Sequence, residues 1–72
     1  MVKIELVYIT QGAVVVHFNL DLKQGACVRD ALTESGIWDA YPETQGLPAG
    51  IFSRQVPLDT LLKNGDRIEL YR

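Results

Sequence analysis

Polar and apolar residues alternate at both ends of this chain, and that alternation organises what lies between. From Val2 to Thr10, the side chains of Val2, Ile4, Leu6 and Tyr8 fall on one side and those of Lys3, Glu5, Val7 and Ile9 on the other. A period of two is that of a strand with one packed face. Near the other end, Ile68 and Leu70 alternate with Arg67, Glu69 and Tyr71. Asn64-Gly65, just before this run, suits a tight reversal of the chain. A strand in so small a domain must pair with a neighbour, and the first strand matches it best. The two ends are expected to lie side by side.

Between them the period changes twice. Gln11-Gly12 reads as a hairpin turn into a second strand, Ala13 to Leu22. Its inner face is Val14, Val16, Phe18, Leu20 and Leu22; its outer face is Val15, His17, Asn19 and Asp21. After Lys23-Gln24-Gly25, the residues Val28, Ala31, Leu32 and Ser35 recur at helical spacing. Cys27 stands at the N-cap and Asp30 in the first turn, while Gly36 is placed to end the helix in a left-handed conformation. Ile37 and Trp38 are expected to fold back as an apolar plug. Asp39 to Ala49, broken by Pro42, Gly46 and Pro48, reads as an ordered loop.

Gly50 to Ser53 is a short third strand, with Gln55-Val56 a smaller piece paired through a turn at Arg54. Pro57 stops it. Leu58, Leu61 and Leu62 suggest about one helical turn. The last strand returns parallel to the first by a right-handed crossover. This order predicts one α+β domain over residues 1–72, a mixed sheet with a helix on one face: the β-grasp, or ubiquitin-like, roll.

Composition narrows the classes. The 72 residues make one small domain, which buries only about 60% of its unfolded surface and is expected to hold roughly 3–5 kcal/mol of net stability. Seven Lys and Arg against nine Asp and Glu leave a formal charge of −2, scattered along the chain. No basic stripe marks a nucleic-acid partner. The apolar run from Ala13 to Val16 is too short to span a membrane, and the alternating N-terminus is a strand rather than a signal peptide. One cysteine forms no disulfide framework, and no metal-ligand set is present. A cytoplasmic protein without a cofactor is expected.

GIFSR at Gly50 to Arg54, LDTLL at Leu58 to Leu62 and GDRIELYR at Gly65 to Arg72 resemble the C-terminal signature of the RnfH family. This is a bacterial group of small ubiquitin-like proteins, also called RatB. ELVY at Glu5 to Tyr8, ALTESG at Ala31 to Gly36 and Tyr41-Pro42 are similar to the family's first strand, helix and following segment. Family members continue past the Tyr-Arg pair with Pro-Leu and a polar tail, whereas this sequence ends at Arg72. The resemblance implies a β-grasp fold and a genomic association with an electron-transport operon or a ribosome-acting toxin, with no defined biochemical activity. It also opens an alternative, a sulfur carrier or modifier related to ThiS/MoaD-like proteins.

No catalytic constellation stands out, and no enzymatic activity is expected. Carrier chemistry uses a slim, mobile Gly-Gly terminus, and here the corresponding positions are Tyr71 and Arg72. Cys27 at a helix N-terminus has no second cysteine to resolve an oxidised sulfur. His17 has no companion ligands. Asp66 is expected to brace the turn beside it. The expected site is the sheet face opposite the helix, where Val7, Ile9, Val15, His17, Arg67, Tyr71 and, if the third strand is phased that way, Ile51 would gather. An apolar patch with a charged rim on an uncovered face points to a protein partner. The sheet edges, expected at the second and third strands, are also open to pairing with another chain.

Overall fold

The computed structural model describes residues 1–72. Its strands are β1 (Val2–Ile9), β2 (Val15–Leu22), β3 (Ala49–Ile51), β4 (Arg54–Val56) and β5 (Arg67–Leu70). They form one sheet in the order β2-β1-β5-β3-β4. β1 pairs antiparallel with β2 and parallel with β5, with Glu5 opposite Arg67 and Tyr8 opposite Leu70. The two ends of the chain thus lie side by side at the centre of a mixed sheet, as the alternation predicts.

Helix α1 (Val28–Ser35) buries Val28, Ala31 and Leu32. They meet Val2, Ile4, Leu6, Tyr8, Ile68 and Leu70 in one core. The inward faces of β1 and β5 are therefore the alternating sets read from the sequence. Gly36 ends α1 at φ 75°, and Ile37, itself fully buried, begins a short helix, α2 (Ile37–Ala40). A 3₁₀ turn over Pro42–Thr44 follows. Tyr41 meets Tyr8 edge to face with ring centroids 5.9 Å apart. No buried side-chain polar atom lacks a hydrogen-bond partner. No helix is long and apolar enough to cross a membrane.

Several local expectations are corrected. The β1–β2 turn holds one residue more than Gln11-Gly12. Ala13 N–H donates to Thr10 C=O and Thr10 N–H to Val14 C=O, with Ala13 at φ 63°, so β2 starts at Val15. Val14 is pushed out of register and is exposed. The β3–β4 turn is Phe52-Ser53, at φ 48° and 69°, not Arg54. Two successive positive φ values close a two-residue hairpin whose twist suits the strands. Accordingly β4, not β3, is the second edge of the sheet.

The expected helical turn at Leu58 to Leu62 is reduced to one bond, from Thr60 N–H to Pro57 C=O, because the carbonyls of Leu58 and Thr60 are used elsewhere. Val28 N–H donates to Thr60 C=O and Arg29 N–H to Leu58 C=O, supplying acceptors to the open N-terminus of α1. Leu61 bridges Cys27 and is exposed, while Leu62 is buried. Asp66 does brace its turn, and it does so by accepting from Lys63 N–H at 2.8 Å.

Candidate protein-interaction face

Residues opposite one another across a ladder share a face. The registers therefore write out the uncovered side of the sheet in rows. Asp21 and Lys3 form one. Asn19, Glu5 and Arg67 form the next. His17, Val7, Glu69, Gly50 and Gln55 form the third. Val15 and Ile9 form the fourth. Tyr71 follows Leu70, which is opposite Tyr8, so it stands at the end of β5 in this last row.

This arrangement gathers six of the seven expected residues. Ile51 is the exception. It lies opposite Ile68 and packs against the core, so β3 presents Gly50 outward instead. Val7 is on the outer face but is only 9% exposed. It is flanked by His17 and Glu69, and long polar side chains on a sheet shield a β-branched neighbour. Apolar surface is open further along, where Ile9 is 49% and Val15 62% exposed. Val14, placed inward by a simple alternation, is instead 60% exposed beside the turn at Ala13.

Two sets of polar groups on this face are paired. His17 Nε2 and Glu5 Oε2 are 2.7 Å apart, a diagonal pair across β1 and β2. Glu69 Oε1 accepts two bonds, from Ser53 N–H at 2.8 Å and from Tyr71 O–H at 2.9 Å. The Tyr71 ring lies flat enough over Gly50 that a methyl group there would meet its hydroxyl, Cε2 and Cζ atoms. Burial of the phenol, helped by the Glu69 carboxylate beside it, pushes the Tyr71 pKa upward. Between these groups lies a shallow depression bounded by Val7, Ile9, Ser53, Arg67, Tyr71 and Arg72.

What the sequence hid on this face is Gly50, and the two hydrogen bonds that Glu69 accepts. A glycine in a three-residue strand gives no clue to its face, and Glu69 looks like any solvated strand residue. The remaining sequence candidates stay apart from this face. Cys27 caps α1, its N–H donating to Asp30 Oδ2 at 2.9 Å. That bond, with Cys27's side chain, lowers the Asp30 pKa.

Comparison with known proteins agrees with the fold and names the family. The family described as RnfH family Ubiquitin matches residues 2–72. A protein RnfH of Halorhodospira halophila is 41% identical over 71 residues, covering 96% of this chain and 72% of that protein. One from Aliivibrio salmonicida is 36% identical over 74 residues, covering all of this chain and 75% of the relative. A Burkholderia mallei protein RnfH is 42% identical over 55 residues, covering 74% of this chain and half of the relative. Among solved structures, a putative molybdopterin converting factor subunit 1 from Pyrococcus furiosus superposes with a TM-score of 0.70 at 22% identity, covering 97% of this chain and 95% of that one. SAMP1 from Haloferax volcanii superposes with a TM-score of 0.68 at 17% identity, covering 96% and 92%. At these identities the superpositions speak for the fold, a ubiquitin-like β-grasp. With its model matched over residues 2–72 and relatives alike from end to end of the chain, this protein belongs to the RnfH family of bacterial ubiquitin-like proteins.

Proposed function

We propose that this protein is a non-enzymatic interaction module that binds a protein partner through the uncovered sheet face. The observation that carries the reading is the adjacent pair Ile9 and Val15, both exposed on a face that no other element covers. Tyr71 stands at its margin. Arg67, Glu69, Glu5 and His17 supply a polar rim of both signs, the composition of a moderate interface. Aliphatics scattered singly on a surface need no partner, but here they are contiguous and beside an aromatic held in place. The single free cysteine fits a reducing compartment, and we place the protein in the cytoplasm.

The carrier reading draws less support. Leu70 lies within β5 and Tyr71 is docked on Gly50. Residues 1–72 hold no Gly-Gly pair, the slim segment that carrier chemistry uses. The partner reading is tested by affinity capture from host lysate with wild type and Ile9→Asp in parallel. Capture of one protein by wild type alone supports it. Equal capture by a folded Ile9→Asp protein removes the patch assignment.

A further inference from the structure

β2 is an edge strand with one free side. In β1, Lys3 accepts from Gly65 N–H through its carbonyl and donates its own N–H to Asn64 Oδ1, while Glu5 N–H donates to Asp66 C=O. Odd-numbered residues of β1 thus turn their backbone toward β5. An antiparallel pair alternates strictly, so the even-numbered residues of β1 bond to Val16, Phe18, Leu20 and Leu22. The N–H and C=O groups of Val15, His17, Asn19 and Asp21 then point outward along the free edge. None of these groups bonds elsewhere in the chain.

Edges of this length are commonly blunted by lysine, proline or a bulge. Within β2, VVHFNLDL, there is no lysine and no proline. The strand's two ionisable groups, His17 and Asp21, sit symmetrically about Asn19. That symmetry has a consequence. If two copies pair antiparallel about a two-fold axis at Asn19, each His17 faces the other copy's Asp21. Phe18, half-buried at the margin of the core, then faces the second copy's Leu20, which is half-buried too. Val15 faces Lys23, whose aliphatic stem can lie over it. Pairing about Phe18 instead would set Val15 against Asp21 and leave His17 without a carboxylate partner.

We propose that the β2 edge is a homodimer interface in this register, giving a continuous ten-stranded sheet with both uncovered faces on the same side. The interface is isologous, as a two-fold dimer requires. It meets the partner face only at Val15 and His17, because edge pairing uses backbone groups and leaves Ile9 and Tyr71 open.

Sedimentation equilibrium of the full chain from micromolar to millimolar concentration tests association. Asn19→Pro is the discriminating variant: its lost N–H points outward, so the intrachain ladder is untouched. The expected result is a concentration-dependent dimer in wild type, a monomer in Asn19→Pro with unchanged circular dichroism, and slowed hydrogen exchange at Val15, His17, Asn19 and Asp21 as concentration rises. The register is read by Asn19→Cys in a Cys27→Ser background. Residues directly opposite at the axis fall within disulfide reach, so oxidation should link two copies through position 19, whereas His17→Cys in the same background should not. A wild type that stays monomeric at millimolar concentration overturns the proposal. So does a dimer that persists in folded Asn19→Pro, or one that crosslinks through position 17 instead of 19.

Discussion

The Tyr71 ring occupies the space that a side chain at Gly50 would need. A Cβ added at Gly50 would approach the Tyr71 hydroxyl and ring carbons far inside contact distance. The glycine is there for this close approach and not for its backbone freedom. Gly50→Ala is therefore expected to displace the ring, break the Tyr71–Glu69 hydrogen bond and cost about 1 kcal/mol. Urea titration measures the loss. The Gly50 Hα resonances, shifted upfield by the ring in wild type, should return toward random-coil positions in Tyr71→Ala. No change in those resonances would mean that the ring does not rest there.

The turns at Ala13 and at Phe52-Ser53 hold non-glycine residues at positive φ. Outside glycine this region costs roughly 1 kcal/mol per residue. Ala13→Gly should raise stability by about 0.5–1 kcal/mol, since its side chain makes no packing contribution at an exposed turn. Replacing Phe52-Ser53 by Asn-Gly, the pair best suited to this turn, should gain at least as much. Phe52 is also 62% exposed. A turn that keeps a strained, exposed aromatic against its own stability is a place where partner binding is worth measuring in the same variant.

The N-terminus of α1 makes stability sensitive to acid. Asp30 accepts from Cys27 N–H, and this bond holds its carboxyl below the ordinary pKa of 3.8. A group depressed in the folded state stabilises fully above its unfolded pKa and loses that contribution as pH falls through the folded value. Stability should therefore be flat near neutrality and fall below about pH 4, with Asp30→Asn showing a shallower decline in that window. Thermal melts at pH 7 and pH 3 give both slopes. Cys27→Ser offers a better N-cap acceptor and should stabilise by about 0.5 kcal/mol.

The central architecture was legible because β1 and β5 bury one face and alternate cleanly: Ile4, Leu6, Ile68 and Leu70 are all inward, as their period demands. Helix α1 was legible from Val28, Ala31 and Leu32 together with Gly36. What escaped was set by contacts distant in sequence or by single-residue insertions. Ala13 shifts the start of β2 by adopting a conformation that glycine usually takes, so Val14 leaves the core. Leu58 and Thr60 give their carbonyls to α1, which no local pattern signals. Ile51 cannot be phased in a three-residue strand without its pairing to Ile68. On the candidate face, His17, Arg67 and the Ile9–Val15 pair follow from period alone, whereas the burial of Val7 depends on neighbours two strands apart.

Tyr8 links the core to the segment after α2, and alkaline titration exposes that link. The phenol is fully buried and donates to Glu43 Oε2 at 3.1 Å. Burial first, then the carboxylate, raises its pKa above 10.0. For an acid raised in the folded state, the neutral form is favoured by folding. The stabilisation is present below the unfolded pKa of about 10 and is lost as pH rises through the folded value. Tyr8 should therefore ionise only as the fold opens. Its phenolate absorbance should appear together with the loss of tertiary structure, not before it. Glu43→Gln keeps a hydrogen-bond acceptor and removes the charge, so ionisation should begin at lower pH in that variant. Tyr8→Phe retains the edge-to-face contact with Tyr41 and should remove this alkaline component from the stability profile. A wild-type phenolate signal complete well before any structural change would show that the hydroxyl is solvated and that Glu43 does not hold it.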